Sequence, residues 1–179
     1  MPLAAILRLF AFALPLPLLA GCGPGRNEFP PACPTPVMPA LTADVTTYRA
    51  GSAARDLPDM MFAGRMMGIN GNCKRSDKGK LVTTVTFGVE VSRGPALRGN
   101  QVEVPVFVAV ADGDQILDKR VTVLRGEFPP NVDRLGLTSG ELDIVLPISS
   151  SKSGAAYSIL AGFQLTPEQA AAARARGLQ

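Results

Sequence analysis

Four methionines, Met60, Met61, Met66 and Met67, fall within eight residues, and their thioether sulfurs are soft donors suited to Cu(I). Soft-metal sites of this kind usually add histidine or a free cysteine, and this chain has no histidine. Methionine is also an adaptable core filler, so both readings stand. A second cluster is cationic: Lys74, Arg75, Lys78 and Lys80 surround Asp77 in a glycine-flanked turn. Such a run suits a phosphate or an anionic glycan, and it equally forms the solvated tip of a hairpin. Asp112, Asp114 and Asp118 offer carboxylates to calcium. Their spacing lacks the EF-hand glycine and final glutamate, and an Asp-Gly turn accounts for two of the three. In Phe128-Pro129-Pro130-Asn131-Val132, two prolines fix an extended form between aromatic and aliphatic groups. That loop reads as a rigid lip for a partner or as a crossover between sheets.

The missing histidine removes Ser-His-Asp and Cys-His catalysis, imidazole metal sites and histidine pH switches. Tryptophan is missing too, which leaves Tyr48 and Tyr157 as the only tyrosines for stacking on sugars. Ser149-Ser150-Ser151-Lys152 matches S-x-x-K, and Lys152-Ser153-Gly154 is similar to the K-[ST]-G triad of penicillin-recognising enzymes. In those enzymes the first motif opens a helix and the second lies on a distant strand. Here the two overlap in one loop between strands, so a polar turn is expected. The chain offers no paired nucleophile and base and no metal constellation. A non-enzymatic protein without a cofactor is the expectation.

The elements that position these residues follow a period of two. Leu81, Thr83, Val85, Phe87, Val89 and Val91 alternate with a more polar set, which predicts a half-buried strand. Val102, Val104, Val106, Val108 and Val110 repeat the pattern. Pro105 cannot donate a ladder bond and predicts an edge strand or a bulge. Asp112-Gly113-Asp114 predicts a turn, with Ile116 to Leu124 as the returning partner. Leu142 to Ile148 and Tyr157 to Leu165 alternate as well, and Val45 to Arg49 makes a short early strand. Met61 to Asn72 has no clean alternation and holds Gly64, Gly68 and Gly71, which predicts a bulge. About seven strands in an antiparallel, immunoglobulin-like β-sandwich are expected. Phe87, Val89, Val106, Val108, Ile144 and Phe163 should point inward, and Thr84, Glu90 and Asp143 outward. Thr166-Pro167-Glu168-Gln169 supplies an N-cap, a first-turn proline and a capping-box glutamine for a short C-terminal helix. Its alanine face predicts weak docking.

Residues 1–21 carry one charged side chain, Arg8, then a 13-residue apolar run from Leu9 to Gly21. That run is too short to span a bilayer, which takes about 20 apolar residues, and it divides as a signal peptide does. It ends on Leu19-Ala20-Gly21-Cys22, which resembles the lipobox of bacterial lipoproteins. The mature domain is similar to small uncharacterised lipoproteins of alphaproteobacteria, a likeness that brings no known activity. The lipobox implies cleavage before Cys22 and a Cys22 carrying a thioether-linked diacylglycerol and an amide-linked acyl chain. Two or more chains hold a protein stably on a membrane. Gly23, not Asp, follows the cysteine, which by the enteric rule favours the outer membrane over the inner, facing the periplasm.

Loss of the signal lowers the formal charge from +3 to +2, too little to argue for nucleic acid. Export implies oxidising conditions, so the two remaining cysteines, Cys33 and Cys73, are expected to be bridged; a reactive thiol is the alternative. Six prolines between Cys22 and Ala40 favour extended geometry and read as a tether. The expected organisation is a signal over 1–21, a tether over 22–43, a sandwich over 44–166, and a helix with tail over 167–179. The leading expectation is a lipid-anchored binding or structural module whose partner is an envelope protein complex, peptidoglycan or an anionic glycan. A carrier of Cu(I) or of a small apolar ligand is the alternative. The lipobox generates a direct prediction: Cys22→Ser blocks lipidation and leaves the precursor uncut. A variant processed normally and still resistant to salt extraction from membranes would overturn the reading.

Overall fold

The computed structural model describes residues 32–52, 55–76 and 79–177. The signal segment, Cys22 and the first part of the tether lie outside the described residues. Among those described are nine strands: β1 (Thr35–Val37), β2 (Asp44–Tyr48), β3 (Met60–Ser76), β4 (Lys80–Arg93), β5 (Gln101–Asp112), β6 (Gln115–Glu127), β7 (Arg134–Thr138), β8 (Leu142–Pro147) and β9 (Tyr157–Phe163). A helix, α1 (Pro167–Ala175), follows. One sheet runs β1-β9-β5-β6; the other runs β2-β3-β4-β7, with β8 also on β4. Their inner faces form one core, as expected of a sandwich.

Strand β4 sets the core register. Its odd positions from Leu81 to Val91 are buried and its even positions are not. Phe87, Val89, Val106, Val108, Ile144 and Phe163 are all buried, while Thr84, Glu90 and Asp143 reach solvent. Beyond Val106, β5 is buried on both faces, because Phe107, Ala109 and Ala111 are covered as well. Thr42, in the turn at Ala40–Thr42, approaches that second face at Gly162, beside Phe107. A Cβ on Gly162 would stand 2.2 Å from Thr42 Oγ1, so only glycine lets the turn come so close.

Strand β3 carries the bulge that its glycines predicted. Met66 pairs with Val89 and Gly68 with Gly88, leaving Met67 as the extra residue. Before it, Phe62, Gly64 and Met66 lie opposite inward positions of β4; after it, Ile69, Gly71 and Cys73 do. The inward set switches from even to odd numbers, which is why no single alternation shows in the sequence.

Four expectations need correction. Strand β1 was not foreseen. It lies within the segment read as tether and pairs parallel to β9, Pro36 opposite Ile159, so the sandwich is not wholly antiparallel. From Cys33 onward that segment lies against the domain, as the expected bridge implies: Cys33 is bonded to Cys73 with Cα atoms 5.7 Å apart. Strand β7 was missed because its five residues hold only two leucines around Gly136. It lies end to end with β8 along β4, and Ser139 in the break bonds both backbone groups of Phe87 at 3.0 Å. Pro105 lies on an inner strand rather than an edge. Its carbonyl accepts from Gln164 N at 3.0 Å, just past the end of the β5–β9 ladder, so its missing N–H faces the point where β9 leaves the sheet.

Phe163 is 1% exposed and sits where a Cβ on Gly64 would stand, 2.8 Å from its ring. Phe163→Ala should therefore cost about 3–5 kcal/mol in urea unfolding of the oxidised protein. Val145→Ala, on the outer face at 54% exposure, should change stability by less than about 0.5 kcal/mol. Equal unfolding midpoints for the two variants would contradict the core register.

Candidate functional site

The cationic turn is the tip of the β3–β4 hairpin. Lys74, Arg75 and Lys80 are exposed, and none forms an ion pair with another described residue. Lys78 lies outside the described residues. Lys74 stands opposite Val82 on the outer face, whereas Arg75 stands opposite Leu81 on the inward side, so the tip presents charge in both directions. The incoming chain reaches the same end. Cys33 is bonded to Cys73, the residue before Lys74, and a Cβ on Gly154 would meet the Ala32 carbonyl at 2.0 Å.

The other candidates are dispersed or occupied. Met66 is buried and Met67 is 62% exposed, while Met60 and Met61 lie five or more residues back along β3, at about 3.3 Å per residue. The four sulfurs therefore do not converge. Asp112 pairs with Lys152, and Asp118 with Arg120 at 3.1 Å; no acidic, cysteine or histidine cluster that could hold a metal occurs among the described residues. Gly113, at φ +57, turns the β5–β6 hairpin. Ser149 Oγ accepts from the Lys152 and Ser151 amides at 3.1 and 3.3 Å. The Lys152 ammonium hydrogen-bonds Asp112, which raises its pKa above the ordinary lysine value. The ammonium thus faces Asp112 rather than Ser149, and backbone bonds between Ser149 and Lys152 make the S-x-x-K segment a turn. Phe128 was expected as a partner contact. It is instead 2% exposed, with Arg93 5.6 Å above its ring. Pro129 and Pro130 are exposed on the crossover from β6 to β7.

Sequence reasoning did not find the recesses at the opposite end. One, of about 410 Å³, opens where β2, β3, β5 and β9 separate; Val45, Met61, Phe62, Leu97, Val102 and Val104 are among its apolar members. Gln101, Glu103 and Gln164 are among its polar ones. A second, of about 740 Å³, lies between β2 and α1 and includes Arg49, Arg55, Glu168 and Arg176. Beside it, Asp59 binds Ser52 at 2.7 Å and Arg49, which hold its carboxyl below the usual value, Ser52 first. The two recesses share Val45, Thr47, Thr166 and Gln169.

Gln169 divides them. Its Oε1 accepts from Thr166 N at 2.9 Å, and Thr166 Oγ1 accepts from Gln169 N at 3.2 Å, completing the expected capping box. Its Nε2 also donates to Thr46 O at 3.2 Å, which ties α1 to the edge of β2. The helix thus docks through this amide and the buried Ala173. Apolar walls with a few amides suit a small apolar molecule or an apolar side chain of a partner. Searches of family models, curated proteins and solved structures found no match to the chain.

Gln169→Glu keeps the acceptor of the capping box and removes the donor to β2; Gln169→Ala removes both. The alanine variant should lose about 1–2 kcal/mol in urea unfolding. The glutamate variant should match it in hydrogen-exchange protection lost at β2 while retaining that of the first helical turn. Equal fraying of the helix in both would contradict the double role.

Proposed function

We propose that this chain is a lipid-anchored, non-enzymatic binding module of the bacterial cell envelope. It is held at Cys22, on the outer membrane in preference to the inner, and faces the periplasm. The reading is supported by one observation above the others: the chain joins the sandwich at one end and the recesses open at the other. The bond between Cys33 and Cys73 fixes the incoming chain beside the β3–β4 tip. Met61, at the smaller recess, lies twelve residues back along β3, or about 40 Å of strand. A domain attached to a surface at one end presents the other to whatever passes. The partner is an envelope protein complex or an anionic glycan. The second reading, a carrier of a small apolar molecule, is favoured by the size of the recess, about 410 Å³, within the range of ligand pockets.

A photo-crosslinking residue at Gln101, which borders the smaller recess, should give a discrete adduct with an envelope component in living cells. The same residue at Val145, on the outer face of the other sheet, should give none. An apolar molecule released from the purified protein, with no adduct at Gln101, would favour the carrier. Neither an adduct nor a bound molecule would overturn both readings.

A further inference from the structure

We propose that the β3–β4 hairpin tip rests on an anionic lipid surface, the one to which Cys22 is anchored. The inference rests on the lipid-anchor reading above and adds a partner for the tip. Three observations carry it. The tip is cationic: its described residues include Lys74, Arg75 and Lys80 and no acid, a formal charge of +3. Lys74, Arg75 and Lys80 are exposed and have no ion pair among the described residues, whereas Lys152, at the same end, is matched by Asp112. The first described residues meet the domain there: Ala32 packs on Gly154 and Cys33 is bonded to Cys73, next to Lys74.

Reach then decides the matter. Eleven residues separate Cys22 from Cys33, and a chain gains at most about 3.6 Å per residue, so covalent connection alone keeps Cys33 within about 40 Å of the anchored residue. Contact with the leaflet is therefore intramolecular, and a short tether supplies a high effective concentration. Exposed charges act over only about 8 Å at physiological salt, a distance the tether allows the tip to close. A patch too weak to bring a free protein to a membrane is strong enough to orient one already held there. The recesses then point away from the lipid.

The test uses the mature lipidated protein in vesicles of phosphatidylcholine alone or mixed with phosphatidylglycerol. A membrane-impermeant amine-acylating reagent reads each lysine by mass spectrometry. Acylation of Lys74 and Lys80 should fall about fivefold on the anionic vesicles and recover at raised salt, while Lys119, on β6, labels equally on both. Equal labelling of Lys74 and Lys80 on the two kinds of vesicle, with the protein bound to both, would overturn this inference alone. Protein that stays bound to neither would overturn the anchor reading and this inference with it. Protection given by an anionic polysaccharide on phosphatidylcholine vesicles, and not by phosphatidylglycerol, would assign the tip to a glycan instead.

Discussion

Met67 is the residue that β3 has in excess of β4, and its insertion decides which way every later residue of the strand faces. Without it, the inward set would stay on even numbers, Lys74 would face the core and Cys73 would face away. With it, Cys73 stands opposite Thr83 on the inward side, where Cys33 meets it. Cys33 lies two residues before β1, which belongs to the other sheet, so the bond staples one sheet to the other. Closing a loop of this length removes roughly 3–4 kcal/mol of freedom from the unfolded chain. It also holds a proline-rich segment, which has little tendency to fold by itself, against β9.

Close approach elsewhere depends on missing side chains. Gly64 leaves room for Phe163, Gly154 for the incoming backbone at Ala32, and Gly162 for Thr42. Each lets a loop or an aromatic ring fill what would otherwise be a gap between layers, and dense packing is what makes burial count. The ion pairs add little by comparison. Arg65 with Asp44 and Arg125 with Glu103 are exposed on both partners, where solvent screening leaves them little net worth. Lys152 is more than a charge partner. Its ammonium also lies 4.6 Å over the ring of buried Tyr157, whose hydroxyl donates to the Pro147 carbonyl at 2.8 Å. That set of contacts closes the β8–β9 loop beside the point where the chain comes in.

The molecule is thus polarised. At one end are the disulfide, the basic tip and a loop locked by its own hydrogen bonds. At the other the strands part, and the separation leaves apolar surface that the short helix covers only in part. Gln169 matters there because it borders both recesses while one amide closes the capping box of the helix and bonds the edge of β2. An attachment at one end with recesses at the other is the arrangement from which the binding reading follows.

The sequence by itself determined the sandwich, because a half-buried strand must alternate and the alternation of β4, β5, β8 and β9 survives in their side chains. It determined the capped helix, because Thr166, Pro167 and Gln169 act through local backbone geometry. It pointed to the bulge in β3 through its glycines. Only the tertiary structure decided which residue bulged, since that depends on the register against β4. The same holds for β1, whose three residues carry no pattern and pair only because the disulfide and β9 hold them. The fate of the candidate residues was likewise tertiary: Phe128 turned inward beneath Arg93, the methionines spread along a strand, and Lys152 went to Asp112 rather than Ser149. The recesses left no mark in the sequence at all, because they arise from residues distant in the chain whose apolar character had already been explained by the core.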